Sequence, residues 1–166
     1  GTAELNLAKR ETEAFQIVLY SNREIKDVTF HASDLKSENG NTIPSSAVSI
    51  MPVGYVKAEG AAYPVEETAQ WRPDPLLSFL KQFNLDPRVW QPLWVEVKTS
   101  PEMKAGIYIG KVTVEGKGVP KLEVPLKIRV WNFTLPLRHS LPNLFTYEAS
   151  GPHHIYAKNK TEIQEF

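Results

Sequence analysis

The sequence predicts an all-β protein: an antiparallel β-sandwich of the immunoglobulin-like or jelly-roll-like kind, with one long inserted loop. Three observations carry that prediction. Apolar and polar residues alternate in short runs along most of the chain, the period of a strand with one face on a core. Turn-forming clusters separate the runs: Asn39-Gly40-Asn41, Lys104-Ala105-Gly106 and Gly116-Lys117-Gly118. Thirteen prolines are spread among the runs, a density that suits strand ends and sheet edges. Alternation on one face only argues against a parallel sheet covered on both sides. Many short strands with little helix argue for sheet packed on sheet.

The strands follow in order. In Phe15-Gln16-Ile17-Val18-Leu19-Tyr20 the core face is Phe15, Ile17 and Leu19; in Val28-Thr29-Phe30-His31-Ala32 it is Val28, Phe30 and Ala32. Val48-Ser49-Ile50 opens a strand that runs to about Val56. Leu93-Trp94-Val95-Glu96-Val97-Lys98 points Leu93, Val95 and Val97 inward, and Glu96 and Lys98 outward. Residues 108–114 form a further strand. The longest strand, 122–131, puts Leu122, Val124, Leu126, Ile128 and Val130 on the core and Glu123, Lys127 and Arg129 outside.

Two stretches break the pattern. Residues 58–92 read as an insertion with little strand character, in which Asp74-Pro75-Leu76-Leu77-Ser78-Phe79-Leu80 starts a short helical turn with Pro75 at its first position. A loop of that length in a compact domain is usually functional or packs on a partner. Beyond the proline-marked exit Thr134-Leu135-Pro136, the tail reads as a strand at 144–147 and a helix over 154–166 that is too small to form a core. The expected organisation is a sandwich over 1–136 containing the 58–92 insertion, then 137–166 as a linker and the opening of something larger.

Composition narrows the function. Nineteen basic residues balance nineteen acidic ones, which argues against a nucleic-acid partner and a polybasic membrane patch. No apolar run approaches the ~20 residues of a membrane-spanning helix. With no cysteine, disulfides, thiolate metal sites and cysteine nucleophiles are excluded. The expected setting is an exported bacterial protein, periplasmic or extracellular, although cysteine-free composition fits either side of the membrane. Gly1-Thr2-Ala3-Glu4 is an unusual start, as removal of a leader or a cloning remnant would leave. The Asn-x-Thr triplets at Asn132 and Asn159 are too short a pattern to carry weight.

The candidate binding residues are Trp71, Asp74, Trp90, Trp94 and Trp131. Tyr63, Trp71, Asp74, Phe79 and Trp90 lie within the insertion, and Trp94 lies just beyond. Aromatic faces beside carboxylates and amides are how sugar rings are often held. The plainer reading, that these aromatics pack the loop on the sandwich or on a neighbouring domain, is the favoured one. Trp131 sits on a charged sheet face next to the exit and calls for a cover, for which a downstream domain is favoured over the insertion. No catalytic residue is assigned. Glu66-Glu67 are adjacent, whereas glycoside hydrolysis needs two carboxyl groups across the scissile bond. Glu11 and Glu13 show no sign of burial or of a partner. His153 and His154 diverge on any regular backbone, so no metal is expected, and no nucleophile elbow or phosphate loop calls for a cofactor.

Several segments, taken in order, resemble the N-terminal domain of glycoside hydrolase family 123 and related bacterial proteins. They are Arg10-Glu11-Thr12-Glu13-Ala14-Phe15-Gln16-Ile17-Val18-Leu19, Val53-Gly54-Tyr55-Val56, and Trp71-Arg72-Pro73-Asp74-Pro75-Leu76-Leu77, similar to the family's Trp-Pro-Asp-Pro-Leu loop but with Arg72 inserted. Then come Gln91-Pro92-Leu93-Trp94-Val95-Glu96-Val97, residues 105–114 and the exit Val130-Trp131-Asn132-Phe133-Thr134-Leu135-Pro136. The resemblance implies a non-catalytic sandwich ahead of a (β/α) barrel that carries the hydrolase site. It implies release of terminal β-linked N-acetylgalactosamine, with the substrate's own acetamido group as nucleophile and an Asp-Glu pair in the barrel; no stretch here matches that pair. Residues 141–166 would be the barrel's first strand and part of its first helix. The implied partners are that barrel, in the same polypeptide, and carbohydrate. The alternative is an independent carbohydrate-binding module using the loop tryptophans.

Overall fold

A computed structural model describes residues 1–58, 70–138 and 140. The chain divides into two units, Gly1–Leu135 and Pro136–Phe166. The sequence readings at Tyr63, Glu66-Glu67, 141–166 and His153-His154 lie outside the described residues.

Among the described residues the first unit has eleven strands: β1 (Ala3–Lys9), β2 (Thr12–Leu19), β3 (Ile25–Ala32), β4 (Leu35–Ser37), β5 (Thr42–Ile43), β6 (Val48–Ala58), β7 (Gln70–Leu76), β8 (Gln82–Leu85), β9 (Gln91–Lys98), β10 (Gly106–Glu115) and β11 (Leu122–Thr134). No α-helix occurs among the described residues; a 3-10 turn at Ser45–Ala47 leads into β6. The strands form two sheets. One has seven strands, ordered β1-β11-β10-β3-β8, with β4 pairing to β10 and β5 to β4; the other is β2-β9-β6-β7. Every pair is antiparallel except β1 with β11, which run parallel from Ala3↔Leu126 to Leu7↔Val130. The all-β sandwich expected from period-two patterning is the observed architecture.

The core is where the alternating faces meet. Ile17 and Leu19 of β2, Val48 and Ile50 of β6, and Leu93, Val95 and Val97 of β9 face Leu7, Val28, Tyr108, Val112, Leu126, Ile128 and Val130. All are buried, and burying such a side chain fully stabilises the fold by about 1.5–3 kcal/mol. Burial also pushes the Tyr108 hydroxyl to a higher pKa, and that hydroxyl donates to the Lys104 carbonyl at 2.7 Å. Leu122 departs from its sequence reading. It shares the core face of β11 but is 46% exposed, at an apolar cleft of about 320 Å³ at one end of the sandwich, with Val18, Tyr20 and Val119 also in its lining.

Two local devices shape the sheets. β3 and β4 occupy one row beside β10, broken at Ser33 and Asp34. There the Ser33 hydroxyl accepts from the Lys111 N–H at 3.1 Å. Gly110 lies opposite: a Cβ on it would come 2.8 Å from Leu35 Cγ and 3.0 Å from the Asp34 carbonyl oxygen, so the break needs a residue with no side chain.

The second device is the crossing from β1, in one sheet, to β2, in the other. Arg10 takes a left-handed conformation (φ 66°) to turn the corner. The buried Thr99 hydroxyl lies 2.7 Å from the Ala8 carbonyl oxygen and accepts from the Glu11 N–H at 2.9 Å. Its single proton serves the shorter contact, and the Glu11 carbonyl is served by the Thr99 N–H at 2.9 Å. The Glu11 carboxylate turns back to accept from the Ala8 N–H. Glu11 thus has a structural partner that nothing in the sequence signalled.

The stretch 58–92 is richer in strand than expected. It contains β7 and β8, one in each sheet, and the helical turn predicted at 74–80 is overturned by β7 running to Leu76. The reason is position. β7 is the outermost strand of its sheet and pairs on one side only, so Pro73 and Pro75 cost no interior ladder bond.

On the outer face of the seven-stranded sheet, Lys111 Nζ and Lys121 Nζ each lie 2.9 Å from Glu123 Oε1. Hydrogen bonds from Lys121 and then Lys111 pull the Glu123 carboxyl from 4.5 to about 2. The folded state therefore holds this carboxylate more strongly than the unfolded chain does. Its contribution is complete above the unfolded value and is lost as pH falls toward the folded one. Urea midpoints of the protein and of Glu123→Gln should differ near about pH 6 and converge near about pH 2. The gap is small, because the group is exposed.

Thr99→Val removes the corner's hydroxyl and leaves the Ala8 carbonyl and the Glu11 N–H without it. It should destabilise by about 1–3 kcal/mol in urea unfolding, and Thr99→Ser should recover most of the loss.

Candidate functional site

The five candidate residues fall in four places. Trp94 and Asp74 come together on the outer face of the four-stranded sheet. They line a groove of about 270 Å³ with Gln16, Val53, Pro73, Leu76 and Pro92. Pro92 and Val53 are buried beneath it, Trp94 is half-buried, and Gln16, Pro73, Asp74 and Leu76 are exposed at its rim.

The register explains the arrangement. Gln16 of β2 is directly opposite Trp94 of β9, and Met51 of β6 is opposite Trp94 on the other side. β7 carries an extra residue: Val53 pairs with Leu76, but Tyr55 pairs with Pro73. The resulting bulge holds Asp74 and Pro75 against Gly54, whose Cβ, if it had one, would lie 2.9 Å from Pro75 Cγ. The Trp94 indole N–H donates to Glu96 Oε1 at 2.9 Å, and Glu96 lies two residues further along the same face. That bond commits the polar edge of the indole and fixes how the ring lies. Among the described residues the Asp74 carboxylate and the Gln16 amide have no side-chain hydrogen bond.

The other tryptophans stand apart. Trp90, 60% exposed, packs its ring against Tyr20 with centroids 4.5 Å apart, and its carbonyl accepts from the Tyr55 hydroxyl. Trp71, 66% exposed, faces Lys57 on the part of the β6–β7 hairpin that extends past the last β9 pairing at Pro52. Trp131 is on the other sheet, 43% exposed, with the Arg129 guanidinium carbon 5.1 Å from its ring centroid. With Ile107, Ile109 and Phe133, 42%, 52% and 56% exposed, it makes a broken apolar strip: Arg129 stands opposite Ile107, Lys127 stands opposite Ile109, and Trp131 and Phe133 lie past the last β10 pairing at Val130.

Sequence reading missed Gln16 and the groove floor. Gln16 is an ordinary outward residue of an alternating strand, and only the β2–β9 register sets it beside Trp94. Chemically the groove can stack and hydrogen-bond. One carboxylate lines it, whereas two-carboxyl glycoside hydrolysis needs a facing pair. No cluster of three potential metal ligands, and no helix long and apolar enough to cross a membrane, occurs among the described residues.

An accessory all-β module fits these features, and comparison with known proteins gives the family. Residues 5–116 match the family described as the glycoside hydrolase 123 N-terminal domain, and the chain belongs to that family. Its fold is similar to part of a family 123 glycoside hydrolase from Clostridium perfringens, solved for the details of glycolipid glycan hydrolysis. The TM-score is 0.73 at 21% identity over 82% of this chain, and the match spans only 24% of that enzyme chain. A periplasmic chaperone, SfaE, is a weaker likeness at TM-score 0.41 and 8% identity, covering 82% of this chain and 58% of that one. No curated protein matches.

Gly54→Ala sets a methyl against the Pro75 ring and should push the β7 bulge outward. The expected loss of stability is about 1–3 kcal/mol by urea unfolding. Ser at 54 should cost at least as much, since it adds bulk at the same point.

Proposed function

We propose that this domain is the non-catalytic N-terminal support of a glycoside hydrolase domain in the same polypeptide, and that the activity it serves is hydrolysis of β-linked N-acetylhexosamine. Family membership supports the setting. The substrate class rests on the resemblance of the ordered motifs from Arg10 to Pro136 to family 123.

The observation that carries the supporting role is the strip of Ile107, Ile109, Trp131 and Phe133. Exposed aromatic and aliphatic side chains grouped around Arg129 suit an interface, where aromatic residues and Arg are enriched. Trp131 and Phe133 belong to the last residues of β11, which runs to Thr134.

Trp131→Asp tests the reading. In this chain alone the exposed side chain should change stability by no more than about 0.5 kcal/mol. In the whole polypeptide the same substitution should cost about 2 kcal/mol or more and separate the unfolding of the two domains in calorimetry. Equal, small effects in both would sink the docking role.

A further inference from the structure

We propose that the groove formed by Trp94, Gln16 and Asp74 is a binding subsite for a neutral sugar ring, separate from the hydrolase site and carried by the sandwich itself; this rests on the glycoside hydrolase reading above.

The chemistry of the groove selects the ligand. Its floor and one wall are apolar: Val53, Pro92, Pro73 and the half-buried indole of Trp94. Such surfaces take the C–H face of a pyranose, which is flat and apolar, while its hydroxyls project sideways. The two groups able to meet those hydroxyls stand on opposite sides: Gln16 on β2, beside Trp94, and Asp74 on the β7 bulge, across β6. An amide both donates and accepts, and a carboxylate accepts, so together they complement hydroxyls on opposite edges of one ring. Neither makes a side-chain hydrogen bond among the described residues, so binding a ligand breaks no such bond.

Preorganisation supports the same conclusion. Trp94 sits on an inner strand, paired on both sides, and its indole is held by Glu96 at 2.9 Å. A ring fixed in this way loses little freedom when it stacks. Among the described residues Asp74 is the one charged group in the lining, which disfavours phosphorylated, sulfated or uronic ligands and favours neutral sugars. At about 270 Å³ the groove is near the lower end of ligand sites, a size for one ring rather than for a folded partner.

The test is a titration of the 166-residue protein with N-acetylgalactosamine, galactose, glucose and galactose 6-sulfate, followed by the four indole N–H signals in NMR. The expected result is a saturable shift at Trp94, with Trp71 and Trp131 unmoved and the sulfated sugar weaker. Asp74→Ala and Gln16→Ala, both at exposed positions that leave the core intact, should each weaken binding by about tenfold, the scale of one well-placed hydrogen bond. Trp94→Ala should abolish the heat of sugar binding in calorimetry. No saturable change with any sugar, a shift centred on Trp71 or Trp90, or unchanged binding in Asp74→Ala and Gln16→Ala overturns the proposal. So does displacement of the sugar by a proline-rich peptide that binds more tightly than any sugar. None of these outcomes touches the supporting role, which stands or falls with Trp131→Asp in the whole polypeptide.

Discussion

The fold depends on one corner. A sandwich needs its chain to leave one sheet and join the other without stranding backbone groups in the interior, since each buried group without a partner costs about 1–3 kcal/mol. Here the β1-to-β2 crossing meets that requirement with Thr99, which comes from the end of β9 and serves both sides of the turn. The same corner receives the end of β11. The Leu135 N–H donates to the Lys9 carbonyl at 3.0 Å, the Arg10 guanidinium donates to the Leu135 carbonyl at 3.2 Å, and Lys9 Nζ donates to Asn132 at 3.2 Å. The entrance of the second sheet and the exit of the first are therefore held at one point, and the parallel β1–β11 pairing follows from bringing them together.

With the corner fixed, the two outer faces take different characters. The seven-stranded sheet presents ion pairs across its strands, Lys127 to Glu4 and Lys111 to Glu123, beside the apolar strip around Trp131. Exposed ion pairs contribute little to stability. The four-stranded sheet is narrower and carries a bulged edge strand. The bulge lifts Asp74 over the sheet and turns a flat face into a groove. One domain thus carries a mixed apolar and charged face and a small groove on opposite sides of a single core.

The strands buried on one side were legible because their alternation is a direct imprint of that burial: Leu93, Val95 and Val97 of β9, and Leu126, Ile128 and Val130 of β11, all lie where period two puts them. β1 was not read, although Leu5 and Leu7 alternate with Glu4 and Asn6; its partner is the far end of the chain, and nothing local marks it. β7 was missed for a different reason. Pro73 and Pro75 are evidence against an inner strand, and only its place at the sheet edge makes them acceptable. The tryptophans were recognisable as unusual, but a list of residue types does not say which of them share a surface.

By itself, the sequence determined the fold class, the core faces and, through the order of its motifs, the family. These follow from local alternation and turn chemistry, which act over a few residues and need no knowledge of partners. The tertiary structure decided which strands pair, where the bulge falls and which side chains meet. Trp94 and Asp74 line one groove because β9, β6 and β7 follow one another in one sheet, and Gln16 joins them because β2 registers against β9. Register is a long-range property: a shift of one residue would turn every side chain of a strand to the other face, and only packing of the whole core selects between the two.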